Sequence, residues 1–148
     1  LSPSALVQRF LSKPALLHAA LAHAWDGLER QTEALIGRAP MSVAGAIDLL
    51  VALSGNYGDI DDFPEGLLVL REDVRDPALR QRGRAWIAAL AEAIEARFAA
   101  EGTAPAGVGH LMVGQWQGAL TLWSFAPDQP LRDFVRAQLD RFAAALEG

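Results

Sequence analysis

The sequence predicts an all-α fold, a bundle of about seven helices, and two observations support this prediction. Apolar residues recur at spacings of three, four and seven, and no alternating run bounded by turn residues marks a strand. The composition is rich in Ala, Leu, Arg and Glu, with 51% hydrophobic and 21% charged residues, which is typical of a folded domain. At 148 residues the chain is long enough for one domain with a substantial core.

The first two helices begin at capping residues. Pro3 occupies a first-turn position behind Ser2, and this helix is expected to end near Phe10. Ser12 caps the second helix, which runs to Arg38 because a proline follows two residues later. The apolar stripe of the second helix consists of Leu17, Leu21, Ala24, Leu28 and Leu35.

Three further helices occupy the middle of the chain. The segment 42–55 is apolar nearly all round, so we expect a helix there that is buried on most sides. Asp62 and Glu65 have the spacing of a capping box for the next helix. The longest amphipathic helix starts after Asp76 and stops at Gly102.

The last two helices are expected to form a dimer interface. One is opened by Pro105 and is apolar nearly all round, and the other carries a broad apolar stripe. Small residues one turn apart allow two helices to approach closely, either within the chain or between two copies of it. Too few other helices remain to cover both apolar faces, which favours a homodimer. Its expected contact residues are Gly114, Gly118, Phe134, Leu139 and Phe142.

Charge and composition narrow the classes of function. The net charge of −5 argues against a generally basic nucleic-acid binder. The first 25 residues contain Arg9 and Lys13 and no carboxylate, however, so they carry +2 against −7 in the rest, which suits contact with DNA at one end only. The absence of cysteine, of a signal peptide and of a membrane span predicts a cytoplasmic protein without membrane contact.

Residue patterns that support catalysis or metal binding are absent, so we expect no enzyme, metal or cofactor. His18 and His23 are five apart on one helix, and their side chains therefore point about 140° apart. Asp59, Asp61 and Asp62 lack the alternating ligands and distal Glu of an EF-hand, which favours a solvated loop over a calcium site. An unrecognised helical enzyme remains an alternative, although no phosphate loop, zinc motif or nucleophile elbow occurs.

Tryptophans on three different predicted helices indicate a site that binds a small ligand. Ordinary core packing explains any one of them, whereas together they are suited to line a cavity for a small apolar ligand. A polar stripe on the penultimate helix would face the same cavity or a subunit boundary. The expected ligand-binding residues are Trp25, Tyr57, Trp86, His110, Trp116 and Gln117.

The segment 2–17, "SPSALVQRFLSKPALL", resembles the end of the DNA-binding domain of the TetR/AcrR family of transcriptional regulators. In that family a Ser follows the turn of the helix-turn-helix, an aromatic residue closes the recognition helix, and Ser-Lys with a Leu-rich stretch opens a long linking helix. The number, lengths and order of the other predicted helices also resemble the ligand-binding and dimerisation domain of the family. The matching positions are Ser2, Leu6, Arg9, Phe10, Ser12, Lys13, Leu16 and Leu17.

This resemblance implies a domain organisation and a function. Residues 1–13 would be the remnant of a helix-turn-helix whose first two helices are expected before Leu1, and residues 14–148 would bind an effector and dimerise. Val7 stands where many members carry a DNA-contacting Tyr. The residues that would face DNA are Ser2, Ser4, Ala5, Gln8, Arg9 and Lys13, the last as a phosphate contact.

The resemblance implies that the protein is a ligand-responsive repressor of the TetR type and that it binds a small apolar effector. The helix from Lys13 to Arg38 would be the lever, because its front touches the DNA-binding head and its body borders the core. A ligand-free all-α dimerisation module that recruits a protein partner is the alternative. A cavity between the central helices favours the sensor, whereas a solid core favours the module.

Overall fold

The computed structural model describes residues 2–5, 12–102 and 105–147 and confirms the all-α prediction. Over these residues the chain forms α-helices joined by short connections, with one short 3-10 helix and no strand. The elements are α1 (Lys13–Arg38), α2 (Val43–Ser54), the 3-10 helix Gly55–Tyr57, α3 (Phe63–Arg75), α4 (Pro77–Ala100), α5 (Val108–Phe125) and α6 (Leu131–Glu147).

Capping residues fix the starts of three helices, and the starts after Ser12 and Asp76 were predicted. The side chains of Ser12, Ser42 and Asp76 accept hydrogen bonds from backbone N–H groups two or three positions later, at N···O distances between 2.8 and 3.3 Å. Each bond satisfies an N–H that has no partner inside the helix. These boundaries follow from local sequence alone, which explains why they were predictable.

The predicted capping box at the start of α3 is wrong. Asp62 precedes the helix, but its side chain makes no capping hydrogen bond and its backbone is already in the α region. The carboxylate of Asp59 instead accepts hydrogen bonds from the backbone N–H groups of Asp61, at 2.9 Å, and Asp62, at 3.4 Å. The acidic loop therefore stabilises its own turn, as Asp does in many turns.

Helices α2, α4, α5 and α6 enclose the core. The segment predicted to be buried on most sides is α2, and nine of its twelve residues are buried. At Gly109 the backbones of α4 and α5 approach so closely that an added Cβ would overlap the carbonyl oxygen of Ala91. The largest side chains that are fully buried include Trp116, Phe98, Leu49, Leu50, Leu53 and Leu90.

Helix α1 is held against the bundle by two arginines of α4. Arg97, 2% exposed, donates to carbonyl groups at the end of α1, and its burial lowers the pKa of the guanidinium. Arg82 pairs with Asp26 and with Glu29, in the middle of α1. The front of α1 is less covered than its apolar stripe predicted, since Leu17 is 47% exposed.

Within the part of the chain that the structure describes, no helix is both long and apolar enough to cross a bilayer.

Candidate functional site: an aromatic groove

A groove of about 1640 Å³ runs between α1, α3, α4 and α5 and the 3-10 helix. Its floor includes buried core residues such as Leu53 and Leu120, whereas its α3 side is open, with Leu67, Leu70 and Val74 each 53% exposed. The sequence indicated a cavity between the helices, and the observed space is a groove that is open along α3. All six residues expected to bind ligand line this groove: Trp25, Tyr57, Trp86, His110, Trp116 and Gln117.

Four of the lining residues belong to a continuous row of aromatic rings. Trp25 lies 6.1 Å from Trp86, which lies 6.3 Å from Trp116, which lies 6.0 Å from Tyr57, all measured between ring centroids. The two outer pairs are edge-to-face, the arrangement that the quadrupoles of aromatic rings favour. The row therefore joins α1, α4, α5 and the 3-10 helix along one wall.

The row of rings continues from Tyr57 to Phe63, which also lines the groove. From Phe63 it continues to Trp123, which does not line the groove. Phe63 lies 6.3 Å from Tyr57 and 6.4 Å from Trp123, again between centroids. The sequence could not show which tryptophan is pocket and which is core. Trp123 belongs to the core, because it packs beneath α3 and donates its N–H to the carbonyl of Gln129 at 2.8 Å.

The indole N–H groups of the groove tryptophans are already bonded within the chain. Trp25 donates to Asp73 at 3.0 Å, and Trp86 donates to the hydroxyl of Thr32 at 2.9 Å. Trp116 donates to the hydroxyl of Ser54, also at 2.9 Å. Trp116 is 1% exposed, so a ligand meets mainly Trp25 and Trp86, and these two half-buried indoles offer it only carbon and π surface.

A phenol and an amide provide a polar group at one end of the aromatic row. The Nε2 of Gln117 donates to the Tyr57 hydroxyl at 3.2 Å. Burial raises the pKa of Tyr57, and the hydrogen bond from Gln117 offsets only part of that effect. The phenol therefore stays protonated at neutral pH and can donate its own proton.

Helix α3 forms the open side of the groove, and sequence reasoning missed this role. The helix is tied to α1 by the bond between Trp25 and Asp73, and Phe63 anchors its start in the core. Leu67 and Leu70 face the groove while remaining half exposed. The run of four apolar residues in "GLLVLRED" was the available signal, because an isolated surface helix would not expose so many of them.

The glycines of the groove leave room for a ligand. A Cβ added at Gly27 on α1 or at Gly66 on α3 would meet no described atom within 4 Å, and both residues line the groove. Gly83 on α4 is different, because a Cβ there would lie 3.4 Å from the ring of Trp25. That glycine lets the indole pack closely against α4.

The predicted dimer residues divide into exposed and buried ones. Gly114 and Gly118 are exposed on α5, and an added Cβ at either would meet nothing within 4 Å, so no other part of the described chain packs tightly against them. Phe134 and Phe142 are half-buried. Leu139 is completely buried in the core of its own chain. The prediction that Leu139 contacts a second copy is therefore corrected, because its side chain is not accessible to one.

The exposed glycines Gly114 and Gly118 lie on an apolar face of α5 whose other residues were not predicted to be dimer contacts. Leu111, Leu122 and Phe125 follow the same side of α5 and are 48%, 59% and 85% exposed. Together with Gly114 and Gly118 they form what we call the outer α5 face. Its spacing of three and four residues makes it a single continuous stripe.

The residues expected to face DNA are only partly within the described chain. Residues 3–5 are helical, and the Ser2 hydroxyl accepts from the backbone N–H of Ala5 at 3.2 Å and lies 3.2 Å from that of Ser4. Lys13 is exposed at the first position of α1. Gln8 and Arg9 lie outside the described residues.

Metal binding has no geometric support in residues 2–5, 12–102 and 105–147, where no group of three His, Asp or Glu side chains converges. His18 instead pairs with Asp76 at 2.9 Å, joining the front of α1 to the turn between α3 and α4. No protein-family model matches the chain, and a search of curated proteins gives no match either.

Proposed function

We propose that the chain is the regulatory part of a homodimeric, ligand-responsive DNA-binding regulator, a repressor of the TetR type. The observation that carries the proposal is the aromatic groove, whose wall includes the same helix, α1, that would lead to the DNA-binding head. The resemblance of segment 2–17 to the end of a helix-turn-helix supports the DNA-binding role. A cytoplasmic location belongs to the same proposal.

Unequal contacts along α1 give it the properties of a lever. Its C-terminal end is held by the buried side chain of Arg97 and its middle by Arg82, both on α4. Two further contacts, between Trp25 and Asp73 and between His18 and Asp76, join α1 to α3 and to the turn after it. A ligand that separates α3 from α1 would break these two contacts, and the front of α1 would then move about the part that the two arginines hold.

Movement of this kind regulates DNA binding only through differential affinity. The ligand must bind more tightly to the conformation whose two heads do not fit adjacent major grooves. The ligand-free protein would then occupy its operator, and the effector would release it.

A second copy of the chain is the partner proposed for the outer α5 face. Leu122 and Phe125 expose large apolar surface there, and the preceding Gly114 and Gly118 allow close helix approach. Sedimentation at micromolar concentration should give a dimer, and Leu122→Arg should give a monomer. Leu68→Arg is the matched control, because Leu68 is 57% exposed on α3 and does not line the groove. A wild-type monomer would contradict the dimer.

The DNA-binding role is tested by gel shift with the protein that carries a complete helix-turn-helix, against its own upstream region. Retardation at low salt is expected, and Arg9→Ala should weaken it because a phosphate or base contact is lost. No retardation at low salt would contradict the proposal.

The alternative is a ligand-free dimerisation or protein-interaction module, and the outer α5 face alone would favour it. Space-filling variants separate the two functions. Gly66→Leu places a leucine side chain in the groove and should weaken ligand binding, whereas Gly37→Leu should not, because Gly37 lies on α1 away from the groove and a Cβ there meets no described atom within 4 Å. A module would show no ligand binding for either variant or for the wild type.

A further inference from the structure

The charges that line the groove cancel. Asp62 and Asp73 contribute two carboxylates, and Arg80 and Arg84 contribute two guanidinium groups. Asp73 is bonded to Trp25, and Arg80 donates to the carbonyl of Val74 at 3.0 Å. A charged ligand would therefore lose its hydration without meeting a net opposite charge, which favours a neutral one.

The aromatic wall selects for flat rings. Because the half-buried indoles of Trp25 and Trp86 have their N–H groups bonded inside the chain, their contribution to binding is dispersion and ring stacking. Each aromatic pair raises affinity by about two- to tenfold beyond the burial of area alone. An aliphatic chain of equal size gains the area but not the stacking.

The Tyr57 hydroxyl adds one directional contact. Gln117 is its only hydrogen-bond partner among the residues that the structure describes, and in that bond the hydroxyl is the acceptor. The phenol proton is therefore available to an acceptor on a ligand. The low dielectric constant of the buried site strengthens such a hydrogen bond.

From these three observations we infer that the effector is a neutral, planar aromatic molecule whose carbonyl or ether oxygen accepts a hydrogen bond from Tyr57. The inference rests on the proposed function, since it names the ligand class of the same groove. The space of about 1640 Å³ exceeds the roughly 300–1000 Å³ of common ligand sites, so a ligand of two or three rings enters without repacking of the core.

The probe that tests the inference is the neutral naphthyl ketone prodan, followed by energy transfer from the groove tryptophans. Prodan should bind the wild-type chain and the Gly37→Leu control equally, and Gly66→Leu should weaken binding. A straight-chain ketone with the same number of carbon atoms should displace prodan at least tenfold less effectively. The anionic probe anilinonaphthalene sulfonate should also bind at least tenfold more weakly.

The role of Tyr57 has its own readouts. Tyr57→Phe should weaken prodan about two- to tenfold, the worth of one neutral hydrogen bond, and leave the affinity for ethylnaphthalene unchanged. The emission of bound prodan should also shift to shorter wavelength, because its carbonyl loses a hydrogen-bond donor. A structural effect of the substitution would instead weaken both probes equally and is monitored by circular dichroism.

The outcomes separate the inference from the function on which it rests. If the straight-chain ketone or the anionic probe binds as tightly as prodan and Gly66→Leu weakens its binding, the ligand class is overturned and the sensor remains. Equal loss of prodan and ethylnaphthalene in Tyr57→Phe overturns the hydrogen bond. If no probe of any class binds the wild-type chain, the sensor proposal falls with the inference.

Discussion

Among the charged side chains of the described residues, Arg97 is the one whose replacement should lower the free energy of unfolding most. It is 2% exposed, and no carboxylate accompanies it among its hydrogen-bond partners in the described chain. Its guanidinium donates instead to the carbonyl oxygens of Ile36 at 2.7 Å, Ala39 at 3.0 Å, Pro40 at 3.0 Å and Ala93 at 2.8 Å. Three of these carbonyls belong to the end of α1 and the residues after it, where the helix dipole is negative.

The magnitude for Arg97→Met follows from those contacts. Methionine keeps most of the aliphatic volume and leaves three carbonyls without their donor. Each hydrogen bond to a charged group is worth about 1.5–3 kcal/mol, and the recovered hydration of the buried cation offsets part of the sum. We therefore expect the free energy of unfolding to fall by about 3–5 kcal/mol.

Urea unfolding followed by far-ultraviolet circular dichroism measures the change. The midpoint should fall while the slope with urea stays constant, because the exposed area hardly changes. Arg84→Met is the matched control on the same helix, since Arg84 is exposed and makes no hydrogen bond or ion pair among the described residues; it should cost less than about 0.5 kcal/mol. Equal midpoints for the two variants would refute the role of Arg97 as the anchor of α1.

Three further predictions concern packing and titration. Gly109→Ala should lower the free energy of unfolding by about 1–3 kcal/mol, because the new methyl overlaps a carbonyl of α4, whereas Gly37→Ala should raise it by about 0.5–1 kcal/mol; urea melts compare them. Tyr57 is the only tyrosine and burial raises its pKa, so tyrosinate absorbance should titrate above pH 10 in the folded chain and near pH 10 in urea. Stability should therefore fall as the pH rises through about 10, where the unfolded chain ionises first, and Tyr57→Phe should remove that fall. The backbone N–H groups that Asp76 caps, and then His18, lower the pKa of Asp76, so its contribution is present at neutral pH and is lost below about pH 4; Asp76→Asn should flatten that acid limb in urea melts taken across it.

Much of the fold could be predicted because its causes are local. Ser12, Ser42 and Asp76 each bond to N–H groups two or three residues away, so the sequence window that specifies each cap also contains its partner. The all-α class likewise follows from spacing within single helices. The capping box at Asp62 was mispredicted because a competing turn, equally local, bonds Asp59 to the same stretch of backbone.

The candidate site was predictable in part. Trp25, Trp86 and Trp116 lie on different helices, and periodicity shows only that each faces something apolar. That they line one groove depends on how α1, α4 and α5 pack, which no spacing within a helix encodes. The role of Arg97 escaped prediction for the same reason, since its acceptors lie 57 to 61 positions earlier in the chain.

By itself the sequence determined the helical class, the helix starts after Ser12 and Asp76 and the inventory of aromatic and polar groups available for a site, because these depend on neighbours within a few residues. Tertiary structure alone decided that Leu139 is buried while Leu122 and Phe125 are exposed, although all three belong to apolar stripes. It also decided that α3 leaves a groove open. The physical reason is that burial depends on which second surface lies opposite a stripe, and that surface comes from a distant part of the chain.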